Sequence, residues 1–152
     1  MPNVPKTGLR VGDRAPSFAL MDQHGKEVEL SHLLKTQNIL LVFYPGDMTP
    51  GCTMQLCAMR DDAAKFQHKH IAVIGINHGD ESSHRAFAKK YSLPFRLLVD
   101  MRKRVSERYG ALRKIGPIRI IRRTVVGIAK DGKIVYLKHG MPKNAEILKA
   151  FT

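Results

Sequence analysis

Three short apolar runs separated by longer amphipathic stretches constrain the fold of this 152-residue chain more than any other feature. The runs are Asn38 to Tyr44, Ile71 to Ile76 and Phe95 to Val99. Each has the length of a buried strand, and each is far shorter than the roughly 18 apolar residues that a membrane span requires. Strands that alternate with helices pair in parallel, because the chain crosses over between them. The sequence therefore predicts an α/β centre.

Two hairpins are predicted on either side of that centre. Phe18 to Leu20 and Val28 to Leu30 flank a polar tip near the N-terminus. Ile118 to Ala129 and Ile134 to His139 bracket an Asp-Gly turn. We expect a mixed central sheet flanked by helices, with an added N-terminal β-hairpin, in a single domain over residues 1–152.

Four helices are predicted between and after these strands. The first has Thr49 as its N-cap and Pro50 at its first position, a favoured place for proline. The third ends before Gly110, which suits the left-handed residue after a helix. The expected spans are Pro50 to about Gln67, Asp80 or Glu81 to the residues before Pro94, Arg102 to Tyr109, and Ala145 to Phe151.

The chain is strongly basic, with a formal net charge of +13 and a pI of about 10.1. Residues Met101 to Val125 hold nine lysines and arginines against one acid, Glu107. We expect a solvated basic face there. The alternative is a surface for an acidic reductase or for nucleic acid, and without a nucleic-acid motif the latter binding is expected to be nonspecific.

Only two cysteines are present, Cys52 and Cys57. Their short spacing does not suit a secreted disulfide framework, and two cysteines cannot complete a four-ligand zinc site. Such a pair in a reducing cytosol is more often catalytic or redox-sensing. Met1 to Arg14 is predicted to be a lead-in segment, and its first 12 residues lack the apolar core of a signal peptide. We therefore expect a cytoplasmic protein without a membrane partner.

Cys52 is predicted to lie in the first turn of the helix that Thr49 caps. The N–H groups of a first turn lack helical partners, and with the helix dipole they favour a thiolate by about 0.3–2 kcal/mol. A nearby arginine is expected to add to this effect. The alternative is that Cys52 is a small buried apolar residue.

The run around Cys52 resembles the active site of the peroxiredoxins. Pro45-x-x-x-Thr49-x-x-Cys52 matches the pattern of that family, and Cys57 followed by Arg60-Asp61 resembles its Q-type branch, also called bacterioferritin comigratory protein. The similarity covers nearly the whole chain. It includes Gly12 to Phe18, Val73 to Ile76, Phe87 to Tyr91, and Arg123-Thr124 before the Asp131-Gly132 turn.

This resemblance implies a thioredoxin-like fold and a thiol peroxidase that needs no metal, haem or flavin. Cys52 would attack the peroxide and become a sulfenic acid, and Cys57 would resolve it as an internal disulfide. Thr49 would hold the peroxide, and Pro45 would shield the site. Thioredoxin or a similar dithiol protein would then reduce the disulfide. The resemblance also implies a monomer, with a weak dimer as the alternative.

An arginine is the third implied partner of the reaction. Arg123 would pair with the thiolate and the departing oxygen, and Arg122 is the adjacent alternative. Because neighbours on a strand face opposite sides, only one of the two is expected to reach Cys52. Gln55 stands where the family usually has a glutamate that orients the arginine, and an amide can hydrogen-bond but carries no charge.

The spacing of the cysteines predicts a moving helix. Five residues along an α-helix separate the two Cα atoms by about 8.7 Å, whereas a disulfide requires less than about 7 Å. A bond between Cys52 and Cys57 therefore requires the first turns to unwind. The alternative is that Cys57 is an inert core residue and that an outside thiol resolves the sulfenic acid.

Two other functions are compatible with the cysteines and the charge. A thiol–disulfide oxidoreductase of the same fold would normally use Cys-x-x-Cys, whereas four residues intervene here. A basic redox-sensing or nucleic-acid-associated protein would bind without turnover. His68, His70 and His84 are expected to be ordinary exposed histidines, with no role as ligands or catalysts.

Overall fold

The computed structural model describes residues 8–151, and a five-stranded sheet in the order β5-β4-β3-β8-β9 lies at its centre. Most of the predicted lead-in, residues 1–7, lies outside the described residues. The strands are β1 Ala19–Met21, β2 Glu27–Glu29, β3 Asn38–Phe43, β4 Ile71–Asn77, β5 Arg96–Val99, β6 Leu112–Ile115, β7 Ile118–Ile121, β8 Thr124–Ile128 and β9 Ile134–His139. The helices are α1 Leu30–Leu33, α2 Pro50–Asp61, α3 Ala63–His68, α4 Glu81–Lys90, α5 Arg104–Arg108 and α6 Asn144–Lys149.

The central strand β3 shows why this sheet is covered on both faces. It pairs in parallel with β4 and antiparallel with β8, and Ile39 to Phe43 are completely buried. Alternate side chains of a strand point to opposite faces, and those of β3 enter two separate apolar clusters. Each fully buried leucine, isoleucine or valine contributes about 1.5–3 kcal/mol relative to an exposed one. The predicted mixed sheet and the N-terminal hairpin, β1 with β2, are confirmed.

The first predicted helix is shorter than expected. Instead of continuing to Gln67, α2 ends at Asp61, and Asp62 both closes it and precedes α3 with φ −101° and ψ 18°. Asn144 donates hydrogen bonds to the Asp62 carboxylate at 2.9 Å and to the carbonyl of Ala58 at 3.1 Å. These bonds occupy the last turn of α2 and separate the two helices.

The predicted strand from Ile118 to Ala129 is also wrong, because the structure divides it in two. β7 pairs with β6 across a turn at Gly116, where φ is +58°, and this hairpin is outside the central sheet. The chain leaves the strand conformation at Arg122 and Arg123, and β8 then joins β3. The Gly116-Pro117 dipeptide is a turn signal that could have revealed the extra hairpin.

Strand order places three segments together at one edge of the sheet. Residues 44–49, here called the Asp47 loop, follow the carboxyl end of β3 and lead into α2. The antiparallel β8 begins at the same edge, since Thr124 pairs with Phe43. Arg123 therefore lies beside the start of α2, although 71 residues separate it from Cys52 in sequence. Among the described residues, no helix is long and apolar enough to cross a membrane.

Candidate active site

Cys52 lies in the first turn of α2, as the sequence predicts, and its side chain is completely buried. It belongs to the apolar cluster that contains Tyr44 and Leu56. Cys57 lies on the same helix, is partly buried and packs against this cluster. Both thiols are free and α2 is continuous between them.

The predicted cap at Thr49 is only partly correct. Its backbone is extended, with φ −75° and ψ 146°, and its carbonyl accepts from the N–H of Thr53 at 2.9 Å. The hydroxyl, however, makes no cap hydrogen bond and donates to the carbonyl of Gly46 at 3.0 Å. Met48, which lies between Gly46 and Thr49, has φ +65°, a left-handed conformation that costs a non-glycine residue about 1–2 kcal/mol. The first turn of α2 thus lacks a side-chain cap.

Arg123, and not Arg122, reaches the start of α2. Its Nη1 donates to Gln55 Oε1 at 3.2 Å. Its guanidinium lies against Gly51, where an added Cβ would collide with Nη2 and lie 3.3 Å from Cζ. Arg122 Nη2 instead contacts His139 Nε2 at 2.5 Å. Glycine immediately before Cys52 therefore gives the guanidinium the space it occupies.

Among residues 8–151, three buried side-chain polar atoms have no hydrogen-bond partner: Thr53 Oγ1 and Gln55 Nε2 on α2, and Arg122 Nε. Gln55 is only 5% exposed, and its oxygen is already bonded to Arg123. Within residues 8–151, no carboxylate forms an ion pair with Arg123. Arg123 therefore places beside the start of α2 a positive charge that no carboxylate neutralises.

The Asp47 loop is fixed by a second polar cluster. Asp47 Oδ1 accepts from the Tyr44 hydroxyl at 2.6 Å, and Oδ2 accepts from Ser83 Oγ at 2.7 Å. Asp47 Oδ2 also lies 2.6 Å from His84 Nδ1, and His84 Nε2 lies 2.9 Å from the carbonyl of Leu98. The cluster connects the active-site loop to α4 and β5.

The expectation that His84 is exposed is wrong, because its side chain is completely buried. The α4 periodicity contained the signal, since His84 precedes the buried Phe87 by three residues and lies on the same face of the helix. His68 and His70 are exposed as expected. In the described part of the chain, no three His, Cys, Asp or Glu side chains are grouped as metal ligands would be.

Burial and hydrogen bonding affect the two acidic groups of this cluster in opposite directions. Burial raises the pKa of Asp47, but hydrogen bonds from His84, Tyr44 and Ser83 outweigh it, so the pKa is lower than its ordinary value. Burial, and then the charge and hydrogen bond of Asp47, raise the pKa of Tyr44 well above its ordinary value, with a smaller effect from Cys52. Tyr44 is thus a permanent donor next to a permanent carboxylate.

Known proteins resemble this chain in sequence and in structure. The model of the AhpC/TSA family matches residues 11–137. Peroxiredoxin Q, chloroplastic, from Populus jackii is 48% identical over 99 residues, which is 65% of this chain and 46% of that protein. The Oryza sativa subsp. japonica protein of the same name is 42% identical over 126 residues, 83% of this chain and 57% of its own length. This chain thus spans about half the length of the curated relatives it matches.

Solved structures of peroxiredoxins are also similar to this chain, and the similarity covers more of its length. Peroxidoxin BcpB from Mycobacterium tuberculosis has a TM-score of 0.85 at 30% identity and covers 94% of both chains. PrxQ from Xylella fastidiosa has a TM-score of 0.84 at 23% identity, covers 93% of this chain and 94% of its own, and bears on the fold alone. The fold and the resemblance to Q-type peroxiredoxins are confirmed, and the chain belongs to the AhpC/TSA family.

Proposed function

We propose that the chain is a thiol-dependent peroxidase that reduces hydrogen peroxide and organic hydroperoxides through Cys52. The Cys52 thiolate attacks one peroxide oxygen, the O–O bond breaks, and the sulfur becomes a sulfenic acid while the second oxygen leaves with a proton as water or alcohol. The observation that best supports this function is the position of Arg123. Its guanidinium lies against Gly51 at the start of α2 and contacts the neutral amide of Gln55. A fixed cation stabilises the negative charge that develops on the departing oxygen.

Thr49 and Pro45 are proposed to complete the peroxide site. Both lie in the Asp47 loop that leads into α2, where Thr49 is exposed and Pro45 is half-buried. The Thr49 hydroxyl already donates to Gly46, and its oxygen has free lone pairs for a peroxide hydrogen. Pro45 has no N–H and therefore adds no competing donor at this position.

Cys57 is proposed to resolve the sulfenic acid. Its thiol attacks the Cys52 sulfur, water leaves, and a disulfide forms. In a continuous helix the two Cα atoms are about 8.7 Å apart, so the start of α2 must unwind first. The missing side-chain cap at Thr49 and the break at Asp62 support this step, because unwinding of α2 does not have to extend into α3.

The proposed reductant is an acidic dithiol protein such as thioredoxin. The basic segment forms α5 and the β6–β7 hairpin, and one face of that hairpin exposes Ile115, Ile118 and Ile120 by 41–57%. Cations around an apolar patch suit an acidic partner, whereas a second copy of this basic chain would be repelled. We accordingly propose that the chain acts as a monomer, and we place it in the cytoplasm, where dithiol proteins keep thiols reduced.

A coupled assay tests this function. Reduced protein is mixed with peroxide, thioredoxin, thioredoxin reductase and NADPH, and NADPH loss is followed for wild type, Cys52→Ser and Cys57→Ser. We expect turnover in the wild type only, with single-turnover peroxide consumption retained in Cys57→Ser. Turnover that survives Cys52→Ser would refute the proposal. Disulfide reduction without peroxide consumption would identify a thiol–disulfide oxidoreductase, and oxidation-sensitive DNA binding without turnover would identify a redox sensor.

The docking surface is tested separately by changing the reductant. In Arg113→Glu/Lys114→Glu, we expect a raised KM for thioredoxin and an unchanged rate with dithiothreitol, because the small dithiol needs no docking surface. Lys26→Glu/Lys130→Glu changes the net charge equally outside the basic segment and serves as the control. If both double variants raise the KM for thioredoxin equally, general charge attraction explains the binding and the basic segment is not a specific docking surface.

A further inference from the structure

His84 has a proton arrangement that its surroundings dictate. Its ring is completely buried, and its two nitrogens face Asp47 Oδ2 at 2.6 Å and the carbonyl of Leu98 at 2.9 Å. A carbonyl oxygen can only accept, so Nε2 must carry a hydrogen. The open question is which of the two groups holds the proton between Nδ1 and Asp47.

The other contacts of Asp47 decide where that proton is. Tyr44 donates to one oxygen of its carboxylate and Ser83 to the other, so both oxygens already accept a hydrogen bond before His84 is considered. Donors stabilise the charged form of a carboxylate, and a neutral acid would have to turn one oxygen into a donor next to the Ser83 hydroxyl. The proton therefore belongs on Nδ1.

We propose that His84 is a buried imidazolium paired with the Asp47 carboxylate, and that this ion pair is the positioning device for the active-site loop in front of Cys52. The pair neutralises its own charge inside the fold and satisfies both ring nitrogens. Breaking one half leaves an uncompensated buried charge, which is far more disruptive than losing a surface pair.

Neighbouring charged groups leave the pair intact. Asp100 follows β5, but its carboxylate is occupied by the N–H groups of Val105 and Ser106 and by the Ser106 hydroxyl. Lys103 donates from Nζ to the carbonyl of Arg119. Two further titratable groups act electrostatically on this cluster, His78 after β4 and Cys52 on α2. Asp47 is the one acid in contact with the ring among residues 8–151.

The pair fixes the loop together with a second clamp from β4. Asn77 Nδ2 donates to the carbonyl of Tyr44 at 2.9 Å, and Asn77 Oδ1 accepts from the N–H of Gly79 at 2.6 Å. A Cβ at Gly79 would lie 3.1 Å from Asp47 Oδ2 and 3.2 Å from His84 Cε1, so glycine lets this turn cover the pair. The chain is thus held on both sides of Pro45, at Tyr44 and at Asp47.

The protonation state is tested directly by NMR on protein with 15N-labelled histidine. At pH 7.5 we expect both ring nitrogens of His84 to carry protons, assigned by loss of the signals in His84→Gln. A signal typical of an unprotonated Nδ1 would overturn the ion pair. This measurement does not require peroxidase activity, so it tests the ion pair even if the proposed function is wrong.

The positioning role rests on the proposed function and is tested by kinetics. Mass spectrometry follows oxidation of Cys52 by hydrogen peroxide in wild type, Asp47→Asn, His84→Gln and the double variant. We expect each single variant to react about 10–100-fold more slowly, and the double variant to recover part of the loss because no buried charge remains unpaired. Glu81→Gln is the matched control, because it breaks an exposed ion pair with Arg85 on the same helix.

Circular dichroism establishes that the compared variants are folded at the assay temperature. If the double variant is as slow as the product of the two single losses, or if Asp47→Asn reacts at the wild-type rate, the positioning role is wrong. If Asp47→Asn does not fold, His84→Gln and the double variant still carry the comparison. A wild type whose Cys52 fails to react at all would refute the proposed peroxidase instead.

Discussion

The two flanks of Cys52 are built in opposite ways. On one flank, the Asp47 cluster is buried, and the Tyr44 hydroxyl, the Asp47 carboxylate and both His84 nitrogens have partners within 3 Å. On the other, Arg123 makes one 3.2 Å hydrogen bond to a neutral amide. Of the three buried polar atoms without partners in the described chain, two belong to α2, on Thr53 and Gln55, and the Gln55 amide is the one that contacts Arg123.

This difference suggests different roles for the two sides of Cys52, one in fixing the Asp47 loop and one in the reaction. A buried polar group without a partner costs about 1–3 kcal/mol, so leaving the Gln55 amide nitrogen unpartnered beside Arg123 lowers stability. Donors fixed before the reaction stabilise charge as it develops, without the cost of reorienting them. Under the proposed function, the Asp47 cluster is the holding flank, which positions the loop. The side of Arg123 and Gln55 is the reacting flank, which is available to the thiolate and to a departing oxygen.

Removing the cation from the reacting flank is expected to have the largest effect. Arg123→Met should slow Cys52 oxidation by about 100–1000-fold, the usual loss when one charge-stabilising group is removed. Arg122→Met is the control, since its side chain contacts His139 instead of α2. Single-turnover oxidation by peroxide measures both. Equal losses in the two variants would mean that net charge, and not the placement of one guanidinium, accelerates the reaction.

A smaller loss is expected when the arginine is retained but displaced. Gly51→Ala should slow Cys52 oxidation by about tenfold, because the added Cβ would occupy the position of Arg123 Nη2 and a misplaced group loses electrostatic stabilisation. Alanine favours a helix over glycine by about 1 kcal/mol, so α2 should be at least as stable. The informative result is a slower enzyme with unchanged or higher thermal stability. An unchanged rate would show that the guanidinium does not need this space.

The position of Cys52 and the contact from Arg123 could both be predicted from the sequence. The run before Cys52 predicted the cysteine at a helix start, and strand alternation predicted that one of two adjacent arginines would reach it. The Asp47–His84 pair was missed because it joins residues 37 apart, and only the packing of α4 against the Asp47 loop brings them together. The β6–β7 hairpin was missed because the apolar residues of β7 continue after two arginines into those of β8, a run that predicts one strand from Ile118 to Ala129.

The holding flank should respond to acid. Burial raises the pKa of Asp47, but its three donors lower it overall, below the value of about 3.9 that an unfolded chain provides. Its stabilising contribution is therefore complete above that value and is lost as the pH falls through the folded-state pKa. Urea unfolding between pH 7 and pH 3 should show a steeper acid loss for wild type than for Asp47→Asn. Parallel curves would assign the acid sensitivity to other carboxylates.

An acid in place of Gln55 should give the reacting flank a satisfied ion pair like that of the holding flank. In Gln55→Glu, the new carboxylate would pair with Arg123 and remove the unpartnered amide nitrogen, and an acid in the first turns also suits the helix dipole. We expect the free energy of unfolding to rise by about 1 kcal/mol, measured by urea titration, while Cys52 oxidation slows by about twofold because the guanidinium charge is then shared. Gln67→Glu, on the exposed surface of α3, controls for the added negative charge. Lower stability in Gln55→Glu alone would mean that the unpartnered amide is not a cost, and that the contrast between the flanks does not arise from unsatisfied donors.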